Sequence, residues 1–253
     1  MKLRLLLLGG TGEANALAMR LAEQPDISAT VSLAGRTKNP IIPRLATRIG
    51  GFDGIEGLRG YLRDEGVEAV IDATHPFAAQ MSRHAAAACA AEGVPLLSFT
   101  RPAWERVAGD IWIEVATIEA AVAALGDAPK RVFLTQGRLQ IDAFARAPQH
   151  QYIVRAIEPS EALYTLPHRR LILARGPFDL AHEEALLRDE KIETVVTKNS
   201  GGSATYAKIA AARRFHIPVV MLTRPALPDV ERTYDLGEAH AWIGARAAHR
   251  GRP

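Results

Sequence analysis

Short apolar runs alternate along this chain with longer stretches in which apolar residues return every three or four positions. The first half carries LRLLLL (3–8), SATVSL (28–33), EAVIDA (68–73), PLLSF (95–99) and DIWIEV (110–115). The second half carries RVFLTQ (131–136), QYIVRA (151–156), RLILAR (170–175), ETVVTK (193–198) and PVVMLT (218–223). Several are almost continuously apolar, as parallel strands buried on both faces are. After the first run, Ala14, Leu17, Ala18, Leu21 and Ala22 fall at i, i+3, i+4, i+7 and i+8, one stripe of a helix. Strands of this kind separated by helices predict an α/β doubly wound architecture with parallel sheets.

The pattern also repeats. EGVPLLSFTRPAWERV (92–107) resembles FHIPVVMLTRPALPDVER (215–232), and Thr100-Arg101-Pro102-Ala103 recurs as Thr223-Arg224-Pro225-Ala226. Upstream, EAVIDATHP is echoed by ETVVTKNSG; downstream, IWIEVATIEAAVAAL is echoed by TYDLGEAHAWIGARA. Two similar α/β units explain this. Gly, Asp and Pro in LGDAPKR (125–131) break the helical pattern and place the boundary there. The expected domains are 1–127 and 128–253, with 110–126 able to pack on either. An active-site cleft is expected between the units, at the carboxyl ends of their strands, where open parallel sheets bind ligands.

The candidate chemistry lies at those strand ends. Gly9, Gly10, Thr11, Gly12 and Glu13 follow the first run and open the first helix. Glycines let the backbone approach an anion, and a helix start offers free N–H groups. The same turn also suits a plain strand-to-helix connection. The second run ends in Gly35-Arg36-Thr37. In a dinucleotide-binding unit, an arginine there accommodates the 2′-phosphate of NADP, whereas an acidic residue would select NAD. The pair points to NADPH; a solvated basic loop is the alternative. The third run delivers Asp72, Thr74, His75 and Pro76, and His75 suits either an anion contact, a proton transfer or a structural turn. Lys198, Asn199, Ser200, Gly201 and Gly202 form a second donor-rich turn ahead of a helix. Arg138, Arg155 and Arg175 close or follow other strands of the second half, and Arg101 and Arg224 sit in the repeated segment, facing a ligand or pairing with acids.

Composition narrows the field. The 253 residues are 48% apolar and 23% charged, ordinary for a globular protein. The net charge of +3 is too small to argue for nucleic acid. Cys89 is the only cysteine, so no intrachain disulfide forms. Leu5–Leu8 is too short for a signal-peptide core and no stretch approaches the ~20 apolar residues of a membrane span; a cytoplasmic location is expected. Zinc-binding patterns and the G-x-S-x-G elbow are absent, and no metal site is expected. Tyr206 and Lys208 lack the four-residue spacing of a short-chain dehydrogenase pair.

Three segments in this order, LLLGGTGEANALA, DATHPFAAQMS and TKNSGGSATYAKIAAARRFHIPVVMLTRP, resemble the precorrin-6A reductase family of cobalamin biosynthesis. The resemblance spans nearly the whole chain. It implies two Rossmann-like units and NADPH-dependent reduction of one double bond of the precorrin-6A macrocycle to give precorrin-6B. It assigns Gly10, Thr11, Gly12 and Glu13 to the cofactor turn, and His75 and 198–202 to motifs facing the cleft. The acetate and propionate arms of such a macrocycle give Arg138, Arg155, Arg175 and Lys198 carboxylate partners. His75, Lys198 and Tyr206 are candidate proton donors or charge stabilisers. The resemblance leaves open a metal-free or cobalt-containing ring, and leaves room for transient contact with other corrin-pathway enzymes. A nucleotide-sugar glycosyltransferase and a non-enzymatic NADPH sensor are the rival readings.

Overall fold

The structure, a computed structural model, describes residues 2–35, 44–137, 140–159 and 161–249. Twelve strands are described: β1 (Leu3–Leu8), β2 (Ile27–Leu33), β3 (Ala46–Ile49), β4 (Ala69–Asp72), β5 (Leu96–Phe99), β6 (Trp112–Val115), β7 (Arg131–Leu134), β8 (Gln151–Ala156), β9 (Arg169–Leu173), β10 (Thr194–Lys198), β11 (Val219–Leu222) and β12 (Arg232–Thr233). Helices are α1 (Gly12–Leu21), α2 (Gly54–Asp64), α3 (Ala79–Glu92), α4 (Ile118–Ala123), α5 (Leu180–Asp189), α6 (Ala207–Arg214) and α7 (Leu236–His249). Among the described residues, no helix is long and apolar enough to cross a membrane.

Two six-stranded sheets result, ordered β12-β5-β4-β1-β2-β3 and β6-β11-β10-β7-β8-β9, with every neighbouring pair parallel. The α/β doubly wound expectation holds. In β1 the alternation of side chains decides which layer each leucine joins. Leu3, Leu5 and Leu7 pack with Ala14, Leu17, Ala18 and Leu21 of α1 and with Ala239, Trp242 and Ile243 of α7. Leu6 and Leu8 point the other way, onto Leu58 and Leu62 of α2 and Ala85, Ala88 and Cys89 of α3. Ala22, expected on the α1 stripe, is instead its exposed C-cap. In the second sheet Phe133, Ile153, Val195, Val219 and Met221 pack with Leu186, Leu187, Ile209, Ala211 and Ala212 of α5 and α6.

The compact units are Met1–Pro102 with Pro225–Pro253, and Ala103–Arg224. They do not coincide with the consecutive stretches 1–127 and 128–253. After its fifth strand, β5, the chain leaves the first unit at Pro102 and supplies β6 and α4 to the second. After β11 it leaves the second unit at Arg224 and returns β12 and α7 to the first. Each sheet thus takes its sixth strand from the other's chain segment, and the duplicated T-R-P-A segments mark the two crossings. The linear boundary was expected because a break in helical pattern shows where an element stops, not which sheet the preceding strand joins. β3 and β12 escaped the hydrophobic pattern because both are edge strands with few apolar residues, held by main-chain pairing.

Candidate active site

Counting from the centre, both sheets run in the order of a doubly wound dinucleotide-binding fold. Their topological switch points lie between β1 and β4, and between β7 and β10, where ligands bind in such sheets.

At the first switch point β1 ends in Gly9 and Gly10. A side-chain carbon on Gly9 would lie 3.2 Å from Val31 Cγ1, so a larger residue there would press on the Val31 side chain of β2. Gly10 adopts φ +103°, a region that favours glycine, and the space over both Gly10 and Gly12 is open. Thr11 caps α1: its hydroxyl oxygen accepts from Ala14 N at 3.1 Å and its proton goes to Ala73 O at 2.7 Å. That second bond ties the turn after β1 to the end of β4. The result is an open backbone surface at a helix N-terminus, suited to a phosphate. Glu13, in the first turn of α1, would repel an anion; Arg101 Nη1 pairs with its Oε2 at 2.6 Å.

Beyond β4, buried Asp72 accepts from the Thr74 amide at 3.0 Å and its hydroxyl at 2.6 Å. The loop is thereby set rigidly, and the Thr74 hydroxyl proton is committed. His75 Nδ1 accepts from Phe77 N at 3.2 Å. A ring nitrogen that accepts carries no proton, so neutral His75 holds its proton on Nε2 as a donor.

At the second switch point β7 ends in Thr135, Gln136 and Gly137, and β10 in Lys198. Among the described residues no α-helix follows β7 before β8; a 3-10 turn, Asp142–Arg146, lies there instead. Gln136 is 3% exposed, and neither amide atom has a hydrogen-bond partner among the described residues. Such an unsatisfied group costs roughly 1–3 kcal/mol. A side-chain carbon on Gly137 would lie 3.9 Å from Lys198 Nζ.

The turn after β10 is tightly braced. Asn199 is buried, its Oδ1 accepting from Trp104 N at 2.7 Å and its Nδ2 donating to Trp104 O at 2.9 Å. The Trp104 indole donates to Gly202 O at 2.7 Å, and Arg224 donates to the carbonyls of Asn199 and Ser200 at 3.0 and 3.1 Å. Gly201 and Gly202 have φ of +70° and +69°. α6 begins only at Ala207, so the helix start and the glycine turn are separated here, unlike in the first unit. Arg101 and Arg224 therefore each brace a glycine-rich turn of their own unit.

The other basic residues fare differently. Arg155 is buried in a two-bond ion pair with Glu183, its guanidinium 3.6 Å from the Phe178 ring centroid, and so is committed inside the unit. Arg175 is exposed after β9. Arg36, Thr37 and Arg138 lie outside the described residues. The Tyr206 hydroxyl accepts from Arg213 at 2.6 Å, and Arg213 pairs with Asp110 at 2.8 Å. Lys208 is buried, donates to Thr205 O at 2.7 Å and lies 4.9 Å from the Trp104 ring; burial pushes it down to about 7. Burial likewise pushes the Cys89 thiol up to about 12, which keeps it protonated and inert. Gln136 drew no attention in the sequence because a single amide at a strand end has no pattern; only its burial without partners marks it.

The chain is similar over nearly its whole length to known proteins. A family model described as precorrin-6x reductase CbiJ/CobK matches residues 4–244. A precorrin-6A reductase of Rhodobacter capsulatus is 49% identical over 245 residues, 97% of each chain. A cobalt-precorrin-6A reductase of Priestia megaterium is 28% identical over 236 residues, 88% of this chain and 91% of the relative. A solved structure, CobK precorrin-6A reductase, superposes with a TM-score of 0.90 at 49% identity, covering 96% of each chain.

Proposed function

The chain belongs to the precorrin-6x reductase CbiJ/CobK family and is an oxidoreductase; from that premise we propose that it reduces precorrin-6A to precorrin-6B with NADPH, in cobalamin biosynthesis. The observation that carries the cofactor reading is the open, capped glycine turn between β1 and β4, which has no counterpart after β7 among the described residues. Gly10, Thr11 and Gly12 hold the phosphates, and Arg101 neutralises Glu13 so that the first turn of α1 accepts them. Arg36 and Thr37 take the 2′-phosphate; this assignment rests on their position in the sequence.

When bound, the reduced nicotinamide supplies a hydride. The protein's own part is to orient the macrocycle and stabilise the charge that the hydride brings to it. His75 presents Nε2–H from a loop pinned by Asp72 and Thr74, and is the group we assign to a hydrogen bond on that charge, with water supplying the proton. Tyr206 is held by Arg213 and packs on the core of its unit, which suits a structural role. Lys198 supplies a cation for a carboxylate arm. The substrate ring is metal-free, on the ground that relatives named for that form are far more similar than those named for the cobalt form.

Steady-state turnover of native protein, Arg36→Ala and His75→Phe tests this reading. Native protein should prefer NADPH to NADH and the metal-free to the cobalt ring. Arg36→Ala should lose the NADPH preference, and His75→Phe should lower kcat by ~10²–10³ while still binding NADPH. Equal use of both cofactors by native protein would remove the Arg36 assignment.

A further inference from the structure

The second switch point holds a group that the reading above does not use. Gln136 ends β7 and Lys198 ends β10, in neighbouring parallel strands whose register runs Val132–Thr194, Phe133–Val195 and Leu134–Val196. Continuing that register sets Gln136 beside Lys198. Thr135 closes the ladder, its amide and hydroxyl both donating to Val196 O, at 3.1 and 3.2 Å. The hydrogen-bonded sheet therefore stops one residue short of Gln136. Gly137 keeps the next position free of a side chain beside Lys198 Nζ. Native proteins pair nearly all buried side-chain amides, and exceptions call for a reason. Here both amide atoms are unpaired among the described residues.

We propose that Gln136 is a substrate-binding residue, forming with Lys198 a subsite for one carboxylate arm of the macrocycle. The inference rests on the substrate reading above. Nε2–H and the Lys198 ammonium are both donors, which suits the two oxygens of a carboxylate. Oε1 remains as an acceptor, and a tetrapyrrole offers ring N–H groups to meet it. Gln136 reaches the arm by turning its flexible side chain outward past Gly137. Pairing on substrate binding removes the unsatisfied state that the free protein carries.

Gln136→Leu, which keeps size and removes both polar atoms, separates this from a structural role. The free variant should melt at the same or a higher temperature than native protein, because no protein hydrogen bond is lost. Its KM for precorrin-6A should rise about tenfold, the size of one lost hydrogen bond to a charged group, while KM for NADPH holds. Gln136→Glu, which sets a negative charge against the arm, should raise it further. With methyl-esterified arms, which lose their charge, the difference between native protein and Gln136→Leu should shrink. A folded Gln136→Leu with unchanged KM for the macrocycle overturns the proposal, and so does a lowered melting temperature with both KM values raised together. If native protein does not turn over, the functional reading fails by itself. Direct titration of the macrocycle into native protein and Gln136→Leu then still decides the subsite, and equal affinities overturn it.

Discussion

Arg155 and Glu183 are charged in the sequence and buried in the structure, and they set the surroundings of a third ionisable group. Lys208 is 3% exposed; burial lowers it, Arg155 lowers it further, and Glu183 raises it. Its folded value is about 7 against an ordinary value of 10.5. Unfolded chain keeps the proton up to that ordinary value, so folding expels it anywhere between the two. Stability from this site is therefore greatest at high pH and falls as pH drops from 10.5 to about 7, by up to ~1.4 kcal/mol per pH unit. Below that window it levels off. Lys208→Met should remove this slope from urea-unfolding free energies measured across the range and raise stability near neutrality; an unchanged slope would refute the assignment. None of this was legible in the residues themselves, since Lys208 reads as an ordinary helix lysine and Arg155 as a strand-end cation awaiting a carboxylate. Burial brought the titration of one down to near neutrality and tied the other to Glu183.

Among the elements, the turn into α1 was the most legible. Gly9 to Glu13 are local signals: backbone freedom, a capping hydroxyl and a helix stripe depend on neighbours in sequence. The turn after β10 was less so. Its glycines read as an anion nest, yet Asn199 serves Trp104, from far away in the chain, by pairing with both its main-chain groups. Asn199→Ala should leave a buried N–H and C=O of Trp104 unpaired and cost about 2 kcal/mol or more by urea unfolding. Asn199→Asp should recover only the bond to Trp104 N, because a carboxylate cannot donate to Trp104 O. Equal stability of native protein and Asn199→Ala would show that the bracing is immaterial.

In the whole molecule the repeat has a covalent consequence. β6 and α4 belong to one unit, β12 and α7 to the other, although each follows the opposite unit's fifth strand. Fragments 1–127 and 128–253 would each carry a sixth strand whose sheet is missing. Trp242 and Ile243, which cover β1 and α1 in the intact chain, would leave the first fragment's core open. Neither fragment alone should show a cooperative thermal transition, and an equimolar mixture should regain one; cooperative melting of either alone would contradict the exchange.

By itself, the sequence determined ten of the twelve described strands, the main helix stripe, the duplication, the glycine turn and the family, because each is written in neighbouring residues or in motifs of fixed spacing. Only the tertiary structure decided which sheet receives each sixth strand, which arginines are consumed by acids and carbonyls, and which amide is buried without a partner. Those outcomes depend on strand order and on burial, and both arise from contacts between residues far apart in the chain.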